Sequence, residues 1–163
     1  MSTDSGSASN VPAMLTLEGH NFTLVTQLAP ERDATGAIRE FSPQARYANL
    51  NADPLHQHGR GTFCSFRISV PARLVGIYAL VVDGAVRYIG ECEDLGKRFN
   101  AGYGNISPKN CYTGGQPTNC KINRRVLDVS KAGGSVNVYF HPTPQRKPLE
   151  TQLIARYAPP WNG

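Results

Sequence analysis

The chain has 163 residues, the length of a single domain, with 40% hydrophobic and 18% charged residues. Its longest apolar run, residues 74–82, is far shorter than the roughly 18 residues of a membrane span, and residues 1–10 show no secretory signal, so membrane, secreted and largely disordered proteins are disfavoured. The net charge of +5 lies within residues 76–163, which favours an anionic partner, first of all nucleic acid, with a solvated basic face as the alternative.

The first half of the chain is weakly patterned. Residues 1–10, rich in Ser, Asp and Gly, are predicted to be disordered. Residues 14–17 and 22–28 are predicted to form short strands, and residues 29–61 mostly loops. Residues 62–70 alternate apolar and polar side chains, which predicts a half-buried strand.

The second half has clearer signals. Two apolar runs flank Asp83-Gly84, a dipeptide typical of hairpin turns. Asp94 is the predicted N-cap of one helix, and Gly133 and Gly134 close another. From residue 76 onward, the predicted elements are strands 76–81 and 85–90, helices 94–101 and 119–132, strand 135–140 and helix 148–157.

Tyr78 and Tyr88 lie on the two strands of the predicted hairpin, and the turn decides which faces they occupy. A two-residue turn would pair Val82 with Ala85 and put the two rings on opposite faces. A three-residue loop would pair Val81 with Ala85 and put Tyr78 directly opposite Tyr88. We predict the three-residue loop, because only that register lets both phenols serve one site. Packing in the core is the alternative role for both rings.

Two charged side chains fall on helix faces that should be apolar. Glu150 shares a stripe with Leu153 and Tyr157. Arg98 shares a face with Phe99. Each has a plain alternative, because the helix dipole favours a first-turn glutamate and an arginine can extend its guanidinium to water. Together they indicate a salt bridge, or the metal ligand and anion clamp of a phosphate-processing site.

The cysteines and histidines leave a metal site open without requiring one. None of the four cysteines forms a CxxC pair, and a zinc site from Cys111, Cys120 and a histidine would have non-standard spacing. His56 and His58 could hold a metal ion, but a polar loop over residues 53–61 is the commoner explanation. Without a secretory signal, the cysteines are expected to be reduced thiols of a cytoplasmic protein.

Five sequence elements, in order, resemble the signature of the GIY-YIG nuclease superfamily. Gly76-Ile77-Tyr78 and Tyr88-Ile89-Gly90 match its two tripeptides, with the tyrosines ten residues apart. Arg98 matches the helix arginine of the family. Glu150 matches its metal-binding glutamate, and Asn162 matches its terminal asparagine.

This resemblance implies an α+β fold. Residues 76–163 would form a small GIY-YIG-type module, with a mostly antiparallel central sheet flanked by helices. Residues 11–75 would add an N-terminal extension with short β-strands. Residues 102–123 are also similar to the loop and helix of compact, restriction-endonuclease-like members. A short N-terminal extension without an obvious tether fits a restriction or defence nuclease better than a domain of a large repair complex, and a repair or mobile-element nuclease is the alternative.

The resemblance further implies a divalent-metal-dependent DNA endonuclease that hydrolyses phosphodiester bonds. Glu150 would hold one Mg²⁺ ion, with Mn²⁺ as a substitute, and Arg98 would neutralise the non-bridging phosphate oxygens. Tyr78 would activate the attacking water, and Tyr88 would position the water or the phosphate. Asn162 would orient the Glu150 region by hydrogen bonding.

The chain departs from the family pattern at two positions. Glu91 follows Tyr88-Ile89-Gly90, where members often carry Lys or His, so a cation near the tyrosines is missing. Tyr103 is the nearest match, at an offset spacing, to a Tyr or His that often follows the helix arginine. Both residues are kept as catalytic candidates, and Glu91 leaves the general base open.

Basic side chains of the helix over residues 119–132, with its neighbours, are predicted to contact the DNA backbone or a groove. DNA is therefore the expected partner, and a palindromic target would favour a homodimer. A nucleic-acid-binding module of the same fold without turnover is the alternative function, and a small structural domain is the third. The predicted DNA-binding residues are Lys109, Asn110, Lys121, Arg124, Arg125, Lys131, Arg146 and Lys147.

Overall fold

The computed structural model describes residues 11–46 and 53–163, so the segment predicted to be disordered, residues 1–10, lies outside the described residues. The strands are β1 (Met14–Leu17), β2 (His20–Leu28), β3 (Gly76–Val82), β4 (Ala85–Cys92) and β5 (Val136–Pro142). The helices are α1 (Leu95–Arg98), which continues as a π-helical turn over Phe99–Tyr103, α2 (Pro117–Lys131) and α3 (Arg146–Tyr157). Short 3₁₀ turns lie at Pro43–Arg46, Pro108–Cys111 and Pro160–Asn162.

The strands form one sheet in the order β1-β2-β5-β3-β4, and the β1–β2, β3–β4 and β3–β5 pairs are antiparallel. The predicted α+β class with a mostly antiparallel sheet is confirmed. The predicted order from residue 76, strand, strand, helix, helix, strand and helix, is confirmed as well. Along the described residues, every helix falls short of the length and apolar character that a membrane span requires.

The sheet positions α3 through its central strand. β3 is buried along its whole length because it lies between β5 and β4. Its Ile77 and Ala79 pack in one apolar cluster with Leu149 and Leu153 of α3. Successive side chains of a strand alternate between faces, so Tyr78 points to the face opposite α3.

The β3–β4 turn is shorter than the sequence predicts. The predicted three-residue loop with Val81 paired to Ala85 is wrong, because Val82 pairs with Ala85 instead. Asp83 and Gly84 form the turn, both with left-handed backbone (φ 51° and 78°). Two left-handed residues are the mark of a type I′ turn, whose twist matches that of two antiparallel strands. The twist of the two strands therefore favours this two-residue turn over the predicted three-residue loop.

A β-bulge follows the turn and changes the register. Val81 pairs with Val86, but Leu80 pairs with Tyr88, so Arg87 is an extra residue in β4. A one-residue insertion moves every later side chain of that strand to the other face. The short turn alone would put Tyr88 on the face opposite Tyr78, and the bulge returns the side chains from Tyr88 onward to the other face.

Residues 62–70 do not form the predicted strand, although their side chains alternate in burial as expected. Phe63 forms a single antiparallel bridge with Phe41, and side-chain amides bind other backbone groups of the segment. The amide of Asn123 binds both the N–H and the C=O of Cys64, at 3.0 and 2.8 Å. The amide of Asn100 binds the same two groups of Ile68, at 2.7 and 2.9 Å. The alternation of side chains predicted the buried face correctly. A strand also needs a ladder of hydrogen bonds to a neighbouring strand, and the described residues contain no such partner strand for this segment.

The described residues fall into two compact units. Both combine parts of the predicted N-terminal extension with parts of the predicted module. The first holds almost all of the sheet together with α3, and the second holds α1 and α2. The first unit comprises residues up to 27, 74–93 and 136–163, and the second comprises residues 28–73 and 94–135.

Candidate active site

Tyr78 and Tyr88 lie on one face of the sheet, as predicted, but in a different register. Tyr78 pairs with Gly90 rather than with Tyr88, so the two rings are diagonal neighbours. Their centroids are 6.2 Å apart and their planes are tilted by 33°. Tyr78 is only 1% exposed, whereas Tyr88 is half-buried. One unit therefore presents two phenols together, the inner one shielded from water.

Gly90 makes room for the ring of Tyr78. A Cβ atom on Gly90 would lie 2.4 Å from both Cζ and Oη of Tyr78, well inside van der Waals contact. The ring crosses the backbone of β4 at a point where a side chain would collide with it. The glycine that ends Tyr88-Ile89-Gly90 is thus required by the position of Tyr78.

Gly90→Ala is expected to lower the free energy of unfolding by about 1–3 kcal/mol, the usual range for overpacking a buried site, because the Tyr78 ring must move. Urea denaturation measures this loss. The matched control is Gly96→Ala in α1, where a Cβ would be in ordinary van der Waals contact with Val70 Cγ2 at 3.4 Å and Asp94 Oδ1 at 3.5 Å. There the gain in helix propensity should leave stability unchanged or slightly raised. Equal effects of the two changes would show that Gly90 does not hold the ring in place.

The side chain of Asn162 binds the edge strand β4. Its Oδ1 accepts from the N–H of Ile89 at 2.9 Å, and its Nδ2 donates to the C=O of Ile89 at 2.9 Å. Ile89 lies between Tyr88 and Gly90, so Asn162 fixes the backbone that carries both. The sequence predicts that Asn162 orients the Glu150 region, but these two hydrogen bonds go to β4.

Glu91 lies on the opposite face of β4 from Tyr88 and Gly90, because strand side chains alternate. Its carboxylate forms an ion pair with the guanidinium of Arg146, and the two side chains are 19% and 20% exposed. Nη2 of Arg146 also lies 3.2 Å from Oε2 of Glu93. The carboxylate that departs from the family pattern is therefore compensated by a cation from the first turn of α3. A DNA contact by Arg146, as predicted, would compete with these ion pairs.

Arg146→Met is expected to lower the free energy of unfolding by about 2 kcal/mol, because it leaves the half-buried carboxylate of Glu91 without its guanidinium. Adding Glu91→Gln should recover about 1 kcal/mol, which a double-mutant cycle by urea denaturation measures. Glu93→Gln is the control, since this side chain is 78% exposed and should contribute little. Strictly additive effects of the Arg146 and Glu91 changes would contradict the pairing.

Glu150 lies beside the core-facing stripe of α3 and is half-buried. Leu149 and Leu153 occupy the centre of that stripe. A marginal position leaves the carboxylate within reach of water and ligands. In the described residues, no cluster of three or more His, Cys, Asp or Glu side chains could hold a metal ion. A single carboxylate still fits Mg²⁺, a hard ion that keeps most of its water when bound to protein.

Arg98 and Tyr103 belong to the second unit. Asp94 caps α1 as predicted, its carboxylate accepting from the N–H of Lys97 at 3.1 Å. Arg98 ends α1 and is half-buried, whereas Tyr103 is 1% exposed and packs edge-on against Phe99, with 5.2 Å between ring centroids. The first unit holds Tyr78, Tyr88, Glu91, Glu150 and Asn162, and the second holds Arg98 and Tyr103.

The predicted DNA-binding residues have different surroundings. Nζ of Lys131 lies 3.1 Å from Oε2 of Glu40, and the pKa of that carboxyl is lowered first by the Thr62 hydroxyl and then by this ammonium. Oδ1 of Asn110 accepts from the N–H of Ser107 at 3.0 Å. Lys109 and Lys147 are exposed. The structure groups three of the predicted residues along one cleft, namely Lys121, Arg124 and Arg125.

The two histidines of the polar loop have separate roles. His56 Nδ1 accepts from the N–H of His58 at 3.1 Å, so Nε2 carries the proton and donates to the C=O of Asn110 at 2.6 Å. With both nitrogens engaged, His56 organises the loop, which supports the polar-loop explanation over a metal site. The ring of His58 lines the cleft.

Cys111 and Cys120 pack with Phe63 and Ile106 in an apolar cluster of the second unit. Sγ of Cys120 donates to the C=O of Asn110 at 3.5 Å. Burial raises the pKa of Cys120 to about 12 and also raises the pKa of Cys111. Their shared apolar packing therefore favours core side chains over the zinc alternative.

Sequence reasoning missed Gln57 and Arg60 of the cleft, and it considered His58 only as a residue that could hold a metal ion. The only signal was a short run of polar and basic side chains interleaved with glycines, which predicts a loop but not the helix against which it folds.

Comparison with known proteins adds no further assignment. No protein-family model matches the chain, and neither the curated proteins nor the solved structures give a match. The motifs and the geometry of the site are therefore the support for a function.

Proposed function

We propose that this protein is a divalent-metal-dependent DNA endonuclease that hydrolyses phosphodiester bonds in the cytoplasm, in a restriction or defence role. The observation that carries the proposal is the shared face of Tyr78 and Tyr88. The two-residue turn alone would separate these rings, and the bulge at Arg87 brings them together. Bulges are over-represented beside active sites, where they re-aim a side chain.

In this proposal Tyr78 activates the attacking water and Tyr88 positions the water or the phosphate. A free phenol has a pKa near 10, so its phenolate must be stabilised to act as a base at neutral pH. Glu91 does not oppose this, because it lies on the other face of β4 with its charge balanced by Arg146. The negative charge of Glu91 is thus compensated on the face of β4 that does not carry the phenols.

Charge on the phosphate is handled by other residues. Arg98 neutralises the non-bridging oxygens of the scissile phosphate. Glu150 would hold the Mg²⁺ ion, or Mn²⁺ in its place, and such an ion would supply stabilisation of the charge on the leaving oxygen. Asn162 holds the β4 backbone between Tyr88 and Gly90 in position through its two hydrogen bonds to Ile89.

Cleavage of supercoiled plasmid, with magnesium and with EDTA, tests the proposal. Discrete linear products that require magnesium are expected for a site-specific nuclease. Magnesium-dependent nicking would retain the nuclease and give it a weaker sequence requirement. Absence of cleavage on a panel of plasmids and phage genomic DNAs that the protein binds in gel shifts would overturn it.

A nucleic-acid-binding module without turnover is the second candidate. The observation that favours it is the cleft of the second unit, lined by five basic side chains and built from none of the proposed catalytic residues. Salt-sensitive DNA binding without cleavage would identify the binding module, because phosphate contacts release counterions and make affinity fall with salt.

A further inference from the structure

A cleft of about 300 Å³ opens in the second unit, between the loop at residues 57–61 and one face of α2. Five of its side chains are basic, and no carboxylate is among the described residues that line it. The lining side chains are Gln57, His58, Arg60, Lys121, Arg124 and Arg125, beside the backbone of Gly61.

One cation of α2, Arg124, is held in place by a backbone carbonyl and a carboxylate. Nη1 of Arg124 donates to the C=O of Thr62 at 3.0 Å, and its Nε lies 3.2 Å from Oδ1 of Asp128. Lys121 and Arg125 are four residues apart on one helix face, a spacing at which like charges repel. Burial and the nearby Arg125 lower the pKa of Lys121. Such a concentration of positive charge becomes favourable when an anion enters the cleft.

The opposite wall of the cleft is preformed. The N–H of His56 donates to the C=O of Cys111 at 3.1 Å, and the N–H of Gly59 donates to the C=O of His56 at 3.0 Å. A Cβ on Gly59 would lie 1.9 Å from the carbonyl oxygen of Cys111, so only glycine permits this approach. The loop therefore presents His58 and Arg60 from a rigid base, which reduces the entropy lost on binding.

We propose that this cleft binds the backbone phosphate and adjoining sugar of one nucleic-acid strand. The inference rests on the proposed function for the identity of the strand as DNA. Arginine forks and lysine ammonium groups are the side chains suited to phosphate oxygens, and Gln57 adds a neutral donor. The cleft has the size of one nucleotide, so it takes the backbone of a strand rather than the full width of a duplex.

His58 makes this binding depend on pH. Burial lowers the pKa of His58, and repulsion from Lys121 and Arg125 lowers it further. A bound phosphate favours the imidazolium, so binding takes up a proton and affinity rises as the pH falls toward and below about 6.5. The charged and titratable groups that face this ring are His56, Arg60, Lys121, Arg124 and Arg125.

Fluorescence anisotropy with a labelled DNA duplex in EDTA, over a range of salt, tests the cleft without turnover. Arg60→Gln with Arg125→Gln removes two exposed cations that face the one phosphate of the cleft, so the slope of log affinity against log salt should become shallower by about 0.9. Between about 50 and about 200 mM salt, the affinity loss then becomes about 3.5-fold smaller. The control, Arg67→Gln with Arg73→Gln, removes the same charge from exposed positions outside the cleft and should leave the slope unchanged.

A second arm uses His58→Gln, which should flatten the rise in affinity between about pH 8 and about pH 6 while the other three histidines remain. A third arm offers inorganic phosphate and a deoxynucleoside monophosphate as competitors. Equal slopes for the two arginine pairs, an unchanged pH profile, or competition as strong from the free mononucleotide as from DNA would each overturn the strand site. Cleavage with intact binding in the cleft variants refutes the cleft alone, and cleft-dependent binding without cleavage by the wild type refutes the nuclease alone.

Discussion

Glu150→Ala is expected to abolish magnesium-dependent plasmid cleavage, with a loss of at least about 10³-fold in rate. A divalent ion contributes several kcal/mol of charge stabilisation in phosphoryl chemistry, and about 4 kcal/mol corresponds to this factor. The side chain lies at the margin of the α3 core stripe, so its removal should spare the packing of Leu149 and Leu153. Initial rates of plasmid conversion, with circular dichroism as the fold check, measure both parts of this expectation.

Two comparisons make the result specific to the metal. Glu150→Gln keeps the shape of the side chain but removes its charge, so it should lose cleavage as well and weaken Mn²⁺ binding seen by electron paramagnetic resonance. Glu18→Gln removes a carboxylate of β1–β2 that pairs with Arg156, and it should cleave like the wild type. A folded Glu150→Ala variant that still cuts with magnesium would refute the assignment.

Asn123→Ala is expected to lower the free energy of unfolding by about 3–6 kcal/mol. Asn123 is fully buried, and its amide serves the N–H and C=O of Cys64 and, at 2.8 Å, the C=O of Tyr103. Each buried backbone group left without a partner costs about 1–3 kcal/mol. The melting temperature should fall by about 10–20 °C, which differential scanning calorimetry measures.

Asn100→Ala is the matched comparison, because it removes the same kind of clamp from Ile68 at a half-buried position. Water can replace part of those hydrogen bonds, so the expected loss is about 1–2 kcal/mol. If the Asn123 and Asn100 variants melt within a degree or two of each other, burial of the clamp is not what stabilises this region.

Sequence periodicity was sufficient to predict an element wherever its local preference agrees with its tertiary packing. The strand over residues 76–81, the Asp94 cap and the helix ending at Tyr157 follow from patterns that each element carries within itself. The β3–β4 register did not follow, since the bulge at Arg87 lies in a strand whose alternation looks regular on both sides. Tyr78 and Tyr88 share the predicted face although the predicted loop is wrong, because the requirement that both serve one site fixes the face and not the turn.

The remaining differences depend on distant partners. Residues 62–70 have the pattern of a strand, yet Asn100 and Asn123 supply the hydrogen bonds from far along the chain. The cleft could not be predicted for the same reason, because one of its walls is the loop that carries His58 and the other wall is α2. Glu91 was judged alone, whereas its charge is balanced by Arg146, a residue 55 positions later. Such pairings have no local signature in a single sequence.

The amide of Asn162 also bears on how the protein behaves at high concentration. β4 is an edge strand, and the outward N–H and C=O groups of such strands can recruit a strand from another molecule, which is a common route to aggregation. At Ile89 both groups are already taken by Asn162, so an incoming chain would have to displace this side chain to pair there. The 3₁₀ turn at Pro160–Asn162 thus protects this edge of the sheet against pairing with another molecule. It does so through the same two hydrogen bonds that position β4, the strand that carries Tyr88.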